Sequence, residues 1–270
     1  MLMIKQQYKT PTVFRNMAMK KCLAPLMFVL LMAGAVSASA QEKSADQWQY
    51  DFEAYFWMPQ MDITTASGTD ITLTFKDLLQ NLDMAGMFDF GAQKGKWSMN
   101  ADFIYMNLGA KEEISGEIIG HPVTLDVDID LRSFISTVHG GYQVAVNDKN
   151  QLDVIAGIRY LYIRIPLEFD LNENRTRKVT LGGSDEDKWD GIVGLQGVRT
   201  INDKWYFDYY GDIGAGESDL TFQTKLGFGY HFNKFTGTFG FRYLRWNFDK
   251  KGGLANMYVI GPYVGAKWIW

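Results

Sequence analysis

Two arginines stand in the same five-residue phrase. GIRYL at Gly157–Leu161 returns as GFRYL at Gly240–Leu244. A guanidinium stays charged at any ordinary pH, and its planar fork matches a carboxylate two bonds at a time. Placed mid-strand among apolar neighbours, it needs water or an acid on its own side of the sheet. Side chains alternate across a strand, so Ile158 and Tyr160 share one face and Arg159 takes the other. Phe241 and Tyr243 flank Arg242 in the same way. Each arginine lies seven or eight residues beyond a polar turn, and Asp212 lies seven residues beyond Trp205, so all three are expected at similar depth. Asp102, Glu53, Asp190 and Lys225 fall on the same kind of face by their own alternation. Such a set can pair ions across a confined interior or line a charged passage.

Other chemistry is thinner. The acidic run GGSDEDKW at Gly182–Trp189 could face a divalent cation, but its spacing is not that of an EF-hand and it reads as a solvated loop. His121, His139 and His231 stand in no nucleophile–base motif. No cofactor, metal site or catalytic residue is expected from these residues. Cys22 is the one cysteine, and it lies within the N-terminal segment described next.

Residues 1–40 read as a secretory signal peptide. Lys5, Lys9, Arg15, Lys20 and Lys21 precede the apolar run Leu23–Val36, and Ala38-Ser39-Ala40 supplies a cleavage site before Gln41. Translation starting at Met17 or Met19 gives the same product. Removing this segment takes five of 27 cations and none of 31 acids, leaving 22 cations against 31 acids, or −9. That balance argues against a nucleic-acid partner. Residues 41–270 are expected to form one domain.

Those residues alternate apolar and polar over long stretches. Trp97, Met99, Ala101, Phe103 and Tyr105 interleave with Ser98, Asn100 and Asp102, and Leu220, Phe222, Leu226 and Phe228 with Gln223 and Lys225. The period of two predicts strands with one apolar and one polar face. Ten fit: about 48–58, 84–93, 97–108, 124–145, 151–162, 189–200, 204–214, 219–232, 235–247 and 256–270. Tight polar turns such as Gln93-Lys94-Gly95-Lys96 and Asn147-Asp148-Lys149-Asn150 alternate with longer connections such as Pro59–Asp83, Gly109–Val123 and Ile163–Lys188. In the first long connection, FKDLLQNL carries Phe75, Leu78, Leu79 and Leu82 at helical spacing. An even strand number, short turns on one side, long loops on the other and aromatic residues at strand ends predict an all-β fold. It is a transmembrane antiparallel up-and-down barrel of about ten strands, within a range of eight to twelve.

The last strand, YVIGPYVGAKWIW, puts Tyr258, Ile260, Pro262, Val264, Ala266, Trp268 and Trp270 on one face and stops on an aromatic. It resembles the C-terminal assembly signal of outer-membrane barrel proteins. The G-x-G-Y and G-x-R-Y phrases resemble small eight- to ten-stranded barrels of that class, including families without assigned activity. The resemblance implies the outer membrane of a Gram-negative bacterium, periplasmic termini and extracellular long loops. It implies the barrel assembly machinery as a partner that reads Trp268 and Trp270. Outer-membrane lipids are the expected surroundings, and Arg175, Arg177, Lys178, Lys250 and Lys251 are placed to meet lipopolysaccharide phosphates. No pattern of the lipid A deacylases, outer-membrane phospholipases or omptins is present. The expected function is a structural or surface-interaction barrel with a largely side-chain-filled, salt-bridged lumen. The alternatives are a narrow porin or transporter and, below that, an outer-leaflet lipid enzyme.

Overall fold

The computed structural model describes residues 47–270, apart from 67, 69, 119–120, 166, 172–176, 181–183 and 249–252. Its elements in chain order are β1 (Gln49–Trp57), β2 (Gln60–Thr65), β3 (Asp70–Leu73), α1 (Phe75–Gln80), β4 (Leu82–Lys94), β5 (Trp97–Ile118), β6 (His121–Val146) and β7 (Asn150–Ile165). They continue as β8 (Leu167–Leu171), β9 (Arg177–Thr180), β10 (Ser184–Thr200), β11 (Trp205–Gly216), β12 (Leu220–His231), β13 (Thr236–Asn247) and β14 (Leu254–Ile269). The expected leader, residues 1–40, lies outside the described residues.

Ten of these strands close on themselves. The order β1-β4-β5-β6-β7-β10-β11-β12-β13-β14 returns to β1 through antiparallel pairs from Asp51↔Ile269 to Trp57↔Tyr263. Backbone bonds between Tyr50 and Trp270, at 2.9 and 3.0 Å, finish the closure at the chain end. Closure removes the free edges that an open sheet would present. The chain is therefore an up-and-down barrel of the outer-membrane type.

The short turns follow from local chemistry. Lys94 pairs with Trp97 across Gly95-Lys96, and Gly95 supplies the positive φ of 56° that so tight a hairpin requires. Asn147 Oδ1 accepts from the backbone N–H of Lys149 and Asn150, and Asn202 Oδ1 accepts from Lys204 and Trp205.

Two connections differ from the sequence expectation. Gly109–Val123 is not a loop, because β5 and β6 run on as a paired hairpin to Ile118↔His121. The acidic stretch from Ser184 onward belongs to β10, paired with β7 from Ser184↔Ile165, rather than to a cation-binding loop. Hairpins β2–β3 and β8–β9 stand on the long-loop side; of the expected external cations, Arg177 and Lys178 lie in β9, while Arg175, Lys250 and Lys251 lie outside the described residues.

The outward face is apolar. Ile158 is 49% exposed and Phe241 48%, with Phe88, Phe90, Val193, Leu195, Leu226 and Phe239 exposed around the wall. At the short-turn end, Trp48, Tyr50 and Trp270 form one run of neighbouring rings and Trp268, Phe235, Phe232, Tyr230 and Trp205 another. A wall of this kind is built for hydrocarbon with aromatic residues at its boundary. Lysine at Ile158 or Phe241 is accordingly expected to destabilise the barrel by about 2–4 kcal/mol in urea unfolding from vesicles. If lysine is tolerated there and rejected at Gln223 or Thr238, the two faces have been exchanged.

Candidate functional site

The lumen is divided at the level of the two arginines. On the inward face of β7 the series runs Asp153, Ile155, Gly157, Arg159, Leu161, Ile163 from the short turn upward, and on β13 it runs Thr236, Thr238, Gly240, Arg242, Leu244, Trp246. Apolar residues lie above each arginine; below them the polar groups are Asp153 on β7 and Thr236 and Thr238 on β13, with Ile155 the one apolar side chain between Asp153 and Arg159. The two glycines mark sites where the adjacent strand comes close: a Cβ at Gly157 would collide with the Val138 carbonyl oxygen, and one at Gly240 with that of Leu226. Their missing side chains make room for neighbouring backbone.

Both guanidiniums are buried, Arg159 at 0% exposure and Arg242 at 1%. Arg159 Nη2 donates to Asp212 Oδ2 at 2.5 Å, Nη1 to Thr221 at 2.9 Å and Nε to Thr137 at 3.2 Å. Arg242 Nη2 donates to Asp102 Oδ2 at 2.5 Å and to Gln223 at 2.8 Å, and its Nη1 to the Tyr55 hydroxyl at 2.8 Å. Tyr55 in turn donates to the other Asp102 oxygen at 2.5 Å. Arg242 sits 5.1 Å from the centre of the Trp57 ring and Arg159 6.0 Å from that of Trp246. Each cation thus has an acid beside it and an aromatic face within reach of its charge.

Of the remaining expected residues, Lys225 lies opposite Arg242 in register, and the others make contacts of their own. Glu53 accepts from Thr238 and lies 3.6 Å from Lys267, which also approaches Asp51 at 3.4 Å. Lys225 places its ammonium 4.8 Å from the Tyr263 ring centre and 5.5 Å from that of Tyr55. Asp190 is opposite Arg159 in register, yet its carboxylate takes the Ser218 backbone N–H instead. Trp268 and Trp270 are on the outer wall beside the closing strands, against Phe52 and Tyr50. His139 faces inward and bonds Gln196 at 3.0 Å, while His231 bonds Thr236 near the short-turn rim. His121 is the first residue of β6 rather than part of a loop.

Above the arginines the interior is a packed apolar core. Trp57, Met61, Ile63, Leu161, Ile163, Leu244, Trp246, Leu254 and Met257 are all at 2% exposure or less within one cluster. Below them lies a polar cavity of about 720 Å³, which reaches the short-turn mouth at Asn147–Asn150 and ends at Asp102, Arg242 and Tyr263. Asp89, Glu53, Asp208 and Lys225 face it from the wall. The sequence reading missed the core and several partners, among them Tyr55, Trp57, Gln223 and Trp246. Their signal was present, since Tyr55 and Trp57 continue the Glu53 face and Leu244 and Trp246 continue the Arg242 face.

No protein-family model and no curated protein sequence matches the chain. Among solved structures it is similar to the Pseudomonas putida toluene transporter TodX at 9% identity, with a TM-score of 0.38 over 83% of this chain and 90% of that one. It is also similar to the translocator domain of the autotransporter NalP from Neisseria meningitidis, at 12% identity and a TM-score of 0.43 over 92% and 96% of the two chains. A third is Ail, the attachment invasion locus protein of Yersinia pestis, at 10% identity and a TM-score of 0.34 over 83% and 99%.

Proposed function

We propose that this chain is an integral outer-membrane barrel with a sealed lumen, acting as a structural or surface-interaction protein. Its termini and short turns face the periplasm, and its long hairpins form the external working surface. Outer-membrane lipid surrounds the wall, lipopolysaccharide phosphates meet the loop cations, and the assembly machinery reads the strand ending in Trp268 and Trp270. The observation that carries the reading is the apolar core above Arg159 and Arg242. A water-filled channel cannot cross a layer in which Trp57, Leu161, Leu244, Trp246 and Met257 are almost completely buried. The arginine pairs then act as a polar floor beneath that core, with geometrically specific bonds that tie β13 to β5 across the lumen and β7 to β11 past the intervening β10.

A second reading is a narrow transporter, and the polar cavity favours it. About 720 Å³ open toward the short turns is ample for a small solute, although the path beyond is closed. Single-channel conductance of residues 41–270 in a planar bilayer separates the two. The sealed barrel is expected to be silent as wild type and to leak when Trp57 and Trp246 are both replaced by alanine. Steady conductance of the wild type, altered in selectivity by Arg159→Ala or Arg242→Ala, would replace the structural reading with the transporter.

A further inference from the structure

The barrel wall has one place where its ladder stops early. Strands β1 and β4 pair from Gln49↔Gln93 to Ala54↔Phe88, and among the described residues no pair follows. β1 continues to Trp57 along β14, and β4 continues in the other direction to Leu82, paired with β5. Where the next backbone bonds would fall, the Trp57 N–H donates to the Met87 side-chain sulfur at 3.1 Å. A thioether is a weak acceptor, so this contact holds the strands far less firmly than a ladder bond. After Pro59 the chain follows β14 again as β2, and β3 pairs on the far side of β2, so the wall is divided between that hairpin and β4.

Helix α1 fills the division. Leu78 is buried within the apolar core at 4% exposure, and the Phe75 ring meets Phe56 edge-on at 6.3 Å. The helix is held internally: Thr74 and Asp77 form a reciprocal cap, and the Asn81 side chain donates to the Asp77 carbonyl. The Gly109 N–H of the barrel donates to the Asn81 carbonyl at the helix's C-terminal end, at 2.9 Å. A small residual void of about 20 Å³ remains here, bounded by Phe56, Phe75, Leu79, Leu82, Met87 and Met106. Outside it the wall is apolar, with Met84 and Phe88 exposed, and inside it is the apolar core.

From these features we propose that the β1–β4 division is a lateral portal for a hydrocarbon chain, with α1 as its lid. The ligand class is a lipid acyl chain. The outer side of the portal is bounded by lipid-facing residues and the inner side by Trp57, Met87 and Met106, so a chain passing through leaves one apolar medium for another. Moving the lid breaks apolar contacts and the Gly109–Asn81 backbone bond, whereas parting two fully paired strands breaks a run of ladder bonds. Methionine and leucine side chains at the division repack around a flexible occupant more readily than β-branched ones would. The proposal rests on the reading of the wall as membrane-embedded.

The test uses residues 41–270 refolded into phosphatidylcholine vesicles doped with a phospholipid carrying a diazirine midway along one acyl chain. After illumination, mass spectrometry identifies the residues that carry lipid. Ile158 and Phe241 are the wall controls and are expected to be labelled. Label on the inward residues Trp57, Met87 or Met106 is expected to rise several-fold in Leu78→Ala, which loosens the lid from the core. Asp77→Ala is the second variant, since it removes the helix cap at an outer position and leaves the lumen packing intact. An inward signal that rises in either folded variant supports the portal. Label confined to outward residues in wild type and both variants overturns it. Missing label at Ile158 and Phe241 would instead remove the membrane-embedded wall, and the portal with it.

Discussion

Alanine at Arg242 will destabilise the folded barrel by about 3–5 kcal/mol, because it strands a buried acid that the guanidinium now neutralises. Asp102 is 7% exposed and would keep its bond from Tyr55 while losing the charge opposite it. Gln223 would lose a donor as well. Urea unfolding from vesicles, followed by tryptophan fluorescence, measures the loss. The double variant Arg242→Met with Asp102→Leu is expected to recover part of it, because the stranded charge is gone while the Tyr55 hydroxyl and Gln223 still lose their partners. A single-variant loss below about 1 kcal/mol would mean that water in the cavity solvates the pair as it does an exposed one. The floor reading would then fail, because ions already wet hold nothing across the lumen.

Alanine at Trp246 is expected to cost a similar amount, about 3–5 kcal/mol, for a different reason. The indole is at 0% exposure, and its Nε1 has no hydrogen-bond partner among the described residues. Nothing polar is orphaned by removing it, so the loss is packing and the cavity left behind. The Arg159 guanidinium also loses the ring face 6.0 Å away. Phenylalanine at the same position should hold the loss to about 1–2 kcal/mol, because it keeps an aromatic face and most of the volume. The same unfolding measurement decides this. Equal losses for alanine and phenylalanine would point to the indole nitrogen rather than to packing.

The two predictions bear on different parts of the lumen, and they were unequally legible in the sequence. The arginines were visible because a charge between apolar neighbours has one physical explanation in a membrane strand: it faces inward. Counting residues from the short turns also placed Asp212 near the depth of Arg159, and these two meet at 2.5 Å. The apolar core was overlooked for the converse reason. Leu161, Leu244 and Trp246 lie on the arginine-bearing face, but apolar residues in a barrel strand suggest lipid unless the alternation is followed to the strand's end. The β5–β6 hairpin was read as a loop because Lys111, Glu112 and Glu113 break the two-residue contrast. Backbone pairing needs no hydrophobic period, so the ladder runs on to Ile118↔His121 without one to announce it.

By itself, then, the amino-acid order determined which stretches cross as barrel strands, about ten within a range of eight to twelve, and their faces and short turns, but not the added hairpins β2–β3 and β8–β9. Strands, faces and short turns are local properties: a period of two, a glycine or asparagine where the chain reverses, and aromatic residues where hydrocarbon gives way to water. Which carboxylate each arginine takes, where the ladder between β1 and β4 ends, and that a helix fills the gap were decided by closure alone. Arg242 reaches Asp102 over 140 positions of sequence, and Trp57 reaches Met87 over 30. Such contacts depend on the stagger of ten strands wound into one cylinder, a quantity that no single strand encodes.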